Sequence, residues 1–333
     1  MRPGLTFFCE LETRGLLELL ADGGVIKTLK SLRAGMSLSV QDLSPERAQM
    51  VQQLNREGIP VTAWLLLPKE QGYWPNVDNA PLAVEHYAAF EAWTAEYGLA
   101  WAGVGLGIQP DIHELGDWLT QRQRVLPVAL RRLLQARRLR RARKIYRGLV
   151  ERVRQTGYRV ESYVFPVIAD ERKVLSTLLQ RIFGVVDIPA DREVMVLYSS
   201  YVRPYGPGVI WAYAPDSQAI ALGSTGGGAK IPISGAEPLT WDELARDLIH
   251  AWYWKNELYV FSLEGCVQNG YLDRLKTLDW DRPIIPPEAL TRRVQGWRAT
   301  LQSTLWAASH LTTILLLLAG VLLILTPLRR KMQ

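Results

Sequence analysis

Short apolar runs alternate with amphipathic runs eight times along residues 1–285 of the chain. Apolar runs bounded by turn residues predict buried strands, and runs with apolar positions three or four residues apart predict helices that cover them. Eight strand–helix units in a segment of this length predict a (β/α)8 barrel, with a doubly wound open sheet as the alternative. The predicted strands are Leu5–Glu10, Met36–Gln41, Val61–Leu67, Ala100–Gln109, Tyr158–Pro166, Val194–Tyr201, Ala219–Gly223 and Leu258–Glu264.

The C-terminal part of the chain has a different pattern. No Asp, Glu, Lys or Arg lies between Arg298 and Arg329, and residues 311–325 are almost purely aliphatic. About 20 apolar residues in a helix are enough to cross the roughly 30 Å of hydrocarbon in a bilayer. Residues 305–327 are therefore predicted to form a single transmembrane helix, with Trp306 at one membrane interface.

This pattern divides the chain into a barrel and a membrane anchor. Basic residues flank the predicted span equally on both sides, so they do not decide its orientation. The N-terminal apolar run is short and is interrupted by Glu10 and Glu12, which is not typical of a signal peptide. We therefore expect a cell-membrane protein with its barrel on the cytoplasmic side. The predicted units are the barrel (1–285), a juxtamembrane linker or helix (286–304), the transmembrane helix (305–327) and a basic tail (328–333).

Basic residues are concentrated in one segment of the chain. The net charge is only +6, yet residues 122–154 contain twelve Arg and one Lys against Glu151. Residues 129–155 are predicted to form one basic helix, which we expect to contact anionic lipid. Two alternatives remain: a solvated face that pairs with acidic residues elsewhere, and nucleic-acid binding, which no recognised reader motif supports.

The two cysteines, Cys9 and Cys266, are too few for a disulfide framework or a cysteine-based metal site. We expect both to be free, buried thiols. Nothing in the sequence indicates a metal ion or another cofactor.

Candidate catalytic residues follow from the barrel prediction, because reactive groups of such barrels come from the C-terminal ends of the strands. Glu10 ends the first predicted strand and Glu264 ends the eighth, and these two strands are neighbours in a closed barrel. Two adjacent carboxyl groups tend to separate their pKa values, so that one acts as acid and the other as base or nucleophile. Glu10 and Glu264 are therefore the predicted catalytic pair. The alternative is that one of them only pairs with an arginine such as Arg14.

Aromatic residues accompany the same strand ends. Trp64 lies in the third predicted strand, Tyr73 and Trp74 in the loop after it, and Tyr198 in the sixth. Flat apolar rings with a polar edge suit the faces of sugars, so these four are candidate substrate-binding residues. The alternative is that they are core residues. A glycine-rich stretch, Ser224–Lys230, follows the seventh strand and is either an anion-binding loop or a plain flexible loop.

The run Trp101–Pro110 (WAGVGLGIQP) resembles the fourth strand of glycoside hydrolase family 18-like barrels, and the run Gly58–Trp64 is similar to theirs. That family's strand ends with an Asp-x-Glu motif that includes the catalytic acid, and this sequence has Gly107 and Gln109 at the matching positions. An amide cannot donate a proton as a carboxylic acid does, but Gln109 could orient a substrate.

The resemblance implies a glycoside hydrolase-like barrel that cleaves or binds a carbohydrate or glycoconjugate, and the predicted transmembrane helix would anchor it in the membrane. Since the family's acid is missing, either the catalytic chemistry has moved to Glu10 and Glu264, or the barrel binds without cleaving. In the second case the protein would be a catalytically inactive, membrane-tethered binding or assembly module.

Overall fold

The computed structural model describes residues 2–21, 23–114, 122–228 and 237–310. Eight parallel strands in these residues close into a barrel, in which each strand pairs with the next along the chain and the eighth pairs with the first. The predicted (β/α)8 barrel is confirmed. The strands are β1 (Gly4–Cys9), β2 (Gly35–Val40), β3 (Val61–Leu65), β4 (Gly103–Leu106), β5 (Val160–Val164), β6 (Arg192–Val196), β7 (Ala219–Gly223) and β8 (Glu257–Phe261).

Helices cover the outer surface of the barrel and follow or precede each strand. In chain order they are α1 (Thr13–Leu20), α2 (Gly24–Leu32), α3 (Pro45–Arg56), α4 (Ala80–Tyr97), α5 (Arg122–Leu133), α6 (Ala136–Gln155), α7 (Pro166–Lys173), α8 (Leu178–Phe183), α9 (Gly206–Tyr213), α10 (Trp241–Trp252), α11 (Leu263–Gln268), α12 (Tyr271–Lys276) and α13 (Glu288–Ser309). Short 3-10 turns lie at Lys69–Gln71, Ser199–Val202 and Ala214–Asp216.

Local sequence signals explain several helix starts. The Ser44 hydroxyl accepts a hydrogen bond from the backbone N–H of Arg47, and Pro45 occupies the first position of α3. Thr240 and Glu243 form a reciprocal capping box at the start of α10. These caps satisfy backbone N–H groups that a helix leaves unpaired, so the helices begin at defined residues.

The strands separate two apolar layers. Residues such as Phe7, Cys9 and Val260 pack outward against the helices, where most of the core lies. Phe8, Tyr163 and their neighbours fill the lumen of the barrel. Side chains alternate along β1, with Phe8 inside and Cys9 outside. Cys9 and Cys266 are both buried and free, as expected.

Glycines in β4 make room for large rings in the lumen. A methyl group on Gly105 would collide with the Tyr163 ring, and one on Gly107 would lie 3.1 Å from Trp64 Nε1. The Tyr163 hydroxyl is hydrogen-bonded to Ser37 of β2 at 2.7 Å, so the ring spans the barrel. The lumen is a packed core of side chains rather than a pore.

The end of β8 differs from the prediction. The strand ends at Phe261 rather than Glu264, because Ser262 caps α11 with its hydroxyl and the chain turns into that helix. The predicted end of the strand at Glu264 is therefore wrong, and Ser262 and Glu264 do not continue its inward face. The inward residues of β8 are Tyr259 and Phe261, which belong to the lumen cluster.

The predicted basic helix at residues 129–155 is two helices, α5 and α6, separated at Leu134 and Gln135. Several of its arginines pair with acidic residues on other elements. Arg143 donates a hydrogen bond to Gln180, and the five other unpaired basic side chains of α6 form an exposed stripe for which the described residues contain no ion-pair partner. The stripe consists of Arg137, Arg140, Arg141, Lys144 and Arg147. These ion pairs agree with the alternative prediction, in which the basic residues form a solvated face that pairs with acidic residues elsewhere in the same domain.

Helix α13 includes most of the segment 286–304 and packs on α9 and α7. Its Arg298 is buried and donates hydrogen bonds to Asp170 Oδ1 at 2.8 Å and to Asp216 Oδ2 at 2.5 Å. No helix within the described ranges is long and apolar enough to cross a membrane. Residues 311–327 of the predicted span, like the basic tail, lie outside the described residues.

Candidate functional site

A cavity of about 290 Å³ opens at the C-terminal ends of the strands. Eight of its fifteen lining residues are aromatic: Phe8, Trp64, Trp74, Tyr163, Phe165, Tyr198, Tyr201 and Phe261. The others are Glu10, Gln109, Pro166, Val196, Leu197, Val202 and Val209. The wall is therefore mostly flat and apolar, with one carboxylate and one carboxamide among the lining residues that the structure describes.

Glu10 follows directly after β1 and brings its carboxylate to the cavity. Its side chain is only 7% exposed, and its Oε1 accepts a 2.7 Å hydrogen bond from the Tyr73 hydroxyl. Burial, followed by the charge of Glu10, raises the pKa of Tyr73. Tyr73 therefore stays a hydrogen-bond donor and holds the Glu10 carboxylate in one orientation.

Glu264 lies in the first turn of α11, beside Glu10. Its Oε1 accepts a hydrogen bond of 3.3 Å from the backbone N–H of Glu10, and its side chain is 2% exposed. Burial raises the pKa of Glu264, although hydrogen bonds from backbone N–H groups partly oppose this. The two predicted catalytic residues are thus adjacent, as the closed barrel requires. Glu264, however, is not among the described residues that line the cavity.

The glycine-rich loop after β7 covers both glutamates. At Gly227 a methyl group would collide with Glu264, and at Gly228 it would collide with the Glu10 carboxylate and the Phe261 ring. Both glycines have positive φ angles, of 79° and 72°. The loop needs glycine for conformation and for close approach, and neither predicted use, anion site or flexible loop, describes this packing. Lys230 lies outside the described residues.

The predicted aromatic residues are mostly at the cavity. Trp64, Trp74 and Tyr198 line it, and Tyr198 stacks on Phe261 with ring centroids 5.4 Å apart. Tyr73 lies behind Glu10 rather than on the wall. Trp211 is on α9, where it packs on the ring of Tyr253 and does not line the cavity.

Sequence reasoning did not select five aromatic cavity residues as site residues. Phe8 and Phe261 lie on the inward phase of their strands, so alternation could have indicated them. Tyr163 is also on an inward phase, and it fills the space left by the glycines of β4. Phe165 and Tyr201 follow strand ends, where barrels place ligand-binding residues. The five are Phe8, Tyr163, Phe165, Tyr201 and Phe261.

Gln109 reaches the cavity from the segment after β4. Its amide nitrogen and Trp64 Nε1 both lie within 3.4 Å of where a side chain at Gly107 would begin. Position 107 therefore has little room for the carboxylate that the Asp-x-Glu motif would place there. Deeper in the barrel, Glu161 accepts hydrogen bonds from Tyr259 (2.9 Å) and Arg192 (3.4 Å).

Among the residues that the structure describes, no three His, Cys, Asp or Glu side chains come together as a metal site would require.

The sequence matches no protein-family model, and no curated protein is significantly similar to it. Solved structures with a similar chain path include the glycoside hydrolase domain of PgaB (BpsB) from Bordetella bronchiseptica. It has 10% identity and a TM-score of 0.49, over 85% of this chain and 100% of that one.

ScGas2 in complex with compound 9 has 11% identity and a TM-score of 0.43, over 85% of this chain and 66% of that one. D-psicose 3-epimerase in the presence of D-fructose has 12% identity and a TM-score of 0.38, over 91% and 99%. Likenesses with such low identities and TM-scores carry no conclusion about the activity of this protein.

Proposed function

We propose that this protein is a carbohydrate-binding (β/α)8 barrel whose ligand occupies the cavity at the C-terminal ends of the strands. The observation that carries the proposal is the composition of the cavity wall, in which eight aromatic rings surround Glu10 and Gln109. Aromatic faces pack on the C–H faces of sugar rings, and carboxylate and carboxamide groups bind their hydroxyls. A volume of about 290 Å³ is at the lower end of the range of volumes of ligand-binding pockets. Either the ligand is small or only one end of it enters the cavity.

Hydrolysis of the bound carbohydrate is the second candidate function. It is favoured by Glu264, a buried carboxyl group with a raised pKa that lies next to Glu10. Glycoside hydrolysis by two carboxyl groups requires both to reach the scissile bond, from about 5 to 9.5 Å apart. Glu264 is covered by the glycine loop and does not line the cavity, so binding without cleavage is the better supported function.

Glu10→Gln tests the assignment of the ligand-binding carboxylate. We expect wild-type protein to bind members of a panel of chromogenic glycosides and cell-wall glycans without cleaving them. The variant should bind about ten- to a hundredfold more weakly, because a hydrogen bond to a charged group contributes about 1.5–3 kcal/mol. Calorimetry and release of the chromophore measure binding and turnover, and Glu18→Gln, an exposed carboxylate on α1, is the matched control.

The same panel separates the two candidate functions. Turnover by wild-type protein that Glu264→Gln abolishes, with binding retained, would establish a hydrolase and refute the non-catalytic proposal. If no glycan binds to wild-type protein, the cavity is not a carbohydrate site.

We also propose that residues 305–327 anchor the barrel in the cell membrane, with the barrel on the cytoplasmic side. The support is the uncharged, aliphatic sequence of residues 311–325, and the exposed basic stripe of α6 suits an anionic leaflet. Full-length protein should stay in the membrane fraction after carbonate extraction, and a chain ending at residue 310 should be released. Recovery of both chains in the soluble fraction would contradict the anchor.

A further inference from the structure

A second concave site lies on the outside of the barrel, between α9, α10, residues 282–287 and the start of α13. Its volume is about 390 Å³, and it shares no lining residue with the cavity at the strand ends. The two pockets are separate, although α9 contributes Pro207 to the outer pocket and Val209 to the cavity at the strand ends. The lining residues are Pro207, Arg246, Ile249, His250, Arg282, Pro283, Ile284, Ile285, Pro287 and Leu290.

The charged groups of this outer pocket are all basic: within the described chain, none of its lining residues is acidic. Arg246 pairs with Asp247 at 2.9 Å, but the Asp247 side chain is fully buried and cannot be reached from the pocket. Arg282 is exposed and has no ion-pair partner within the described ranges. The charge of Arg282 is therefore unpaired within the described ranges, whereas the charge of Arg246 is offset by the buried Asp247 carboxylate.

The pKa of His250 responds to the positive charge of this pocket. The side chain is 7% exposed, and its Nδ1 is buried without a hydrogen-bond partner among the described residues, so Nε2 is the nitrogen open to a ligand. Burial, followed by the charges of Arg246 and Arg282, lowers the pKa of His250 to about 4. The imidazole is therefore neutral at pH 7, and a bound anion would offset the two guanidinium charges.

The rest of the pocket is apolar and rigid. Ile249 and Ile284 line it, Ile285 is 86% exposed, and three prolines restrict the backbone around it. An apolar ligand group would cover the exposed side chain of Ile285. A purely ionic ligand would leave these surfaces in water.

We infer that this outer pocket binds an anionic amphiphile, a molecule with a phosphate or carboxylate head and a short apolar tail. The head group lies between Arg282, whose guanidinium group can form paired hydrogen bonds with its oxygens, and Arg246, which keeps one terminal nitrogen free of its pair with Asp247. The Nε2 atom of His250 provides a third polar contact. The tail lies along Ile284 and Ile285. The inference is independent of the carbohydrate proposal, since it concerns a different site.

The test uses full-length protein in nonionic detergent, with hexyl phosphate as the probe. The chain contains four histidines, so the ring signals of 13C-histidine-labelled protein are few, and His250→Gln assigns the signal of interest. Hexyl phosphate at millimolar concentration should shift that signal and raise the pH at which His250 titrates by at least one unit. Inorganic phosphate should bind at least fivefold more weakly, and hexanol should leave the titration unchanged.

Arg282→Gln is the decisive variant, because Arg282 is exposed and its loss uncovers no buried carboxylate. It should weaken hexyl phosphate binding at least fivefold. Without ligand it should raise the pKa of His250, since one of the two charges that lower it is gone. The matched control is Arg137→Gln, which removes an exposed charge from α6 and should change neither measurement.

Two results would overturn the inference. An unchanged His250 signal with hexyl phosphate means that there is no anion site. Equal binding of hexyl phosphate and inorganic phosphate means that the alkyl chain does not bind to the apolar residues of the pocket.

Discussion

Replacing Arg298 by alanine is expected to lower the free energy of unfolding by about 3–5 kcal/mol, the usual cost of removing one partner of a buried ion pair. Arg298 fixes α13 to the barrel through Asp170 and Asp216, and its guanidinium group lies 3.9 Å from the centre of the Tyr213 ring. Without it, the carboxylate of Asp170, which is fully buried, keeps only neutral hydrogen-bond donors such as Gln302 among the described residues. Denaturation by urea, followed by circular dichroism, measures the change.

The matched control for Arg298 is on the same helix. Arg292 forms an exposed pair with Glu288 one turn away, and such pairs contribute less than about 1 kcal/mol. Arg292→Ala should therefore unfold at nearly the wild-type urea concentration. Equal destabilisation by the two substitutions would mean that the buried network does not hold α13 in place.

Gly228→Ala is expected to weaken ligand binding in the main cavity at least tenfold and to destabilise the fold by about 1–3 kcal/mol. The reason is geometric, since the added methyl group would overlap the carboxylate of Glu10 and the ring of Phe261. Either the loop moves outward or Glu10 leaves the orientation that Tyr73 gives it, and overpacking of this kind has a cost in that range. The glycan that wild-type protein binds best serves as the probe for calorimetry.

Gly58→Ala is the control that distinguishes steric overlap from backbone strain. The φ angle of Gly58 is 71°, nearly the same as the 72° of Gly228, but a methyl group at Gly58 would meet no atom of the chain within 4 Å. Gly58→Ala should therefore show only the cost of backbone strain, about 1 kcal/mol, with unchanged ligand binding. If Gly228→Ala behaves in the same way, the glycine loop does not position Glu10.

The barrel could be predicted because the sequence repeats one physical signal eight times, and each repeat needs only local information. Alternation along β1 also placed Phe8 and Glu10 on the inner side. Alternation of inward and outward side chains does not continue beyond Phe261, because Ser262 caps a helix there and the strand has ended. Glu264 still lies beside Glu10, because β8 and β1 are neighbours in a closed barrel.

Other features depend on contacts between distant residues, which a single sequence does not contain. Nothing near Leu134 and Gln135 marks a helix break, and the arginines of α5 and α6 have partners as far away in sequence as Asp78 and Glu91. The burial of Glu264 depends on Gly227, 37 positions earlier in the chain. Sequence reasoning identified which residues approach the strand ends, but it could not tell which of them reach the cavity.

The glycines of β4 and the tyrosine of β5 occupy one shared space, so neither strand alone sets the depth of the cavity. Tyr163 forms part of the cavity floor only because Gly105 leaves room for its ring. A chain with a larger residue at position 105 would need a smaller one at position 163. Side-chain volume would then come from β4 instead of β5, and the lumen of the barrel would stay filled. Paired exchanges at these two positions would therefore tilt or deepen the floor of the cavity without altering the strands that form it.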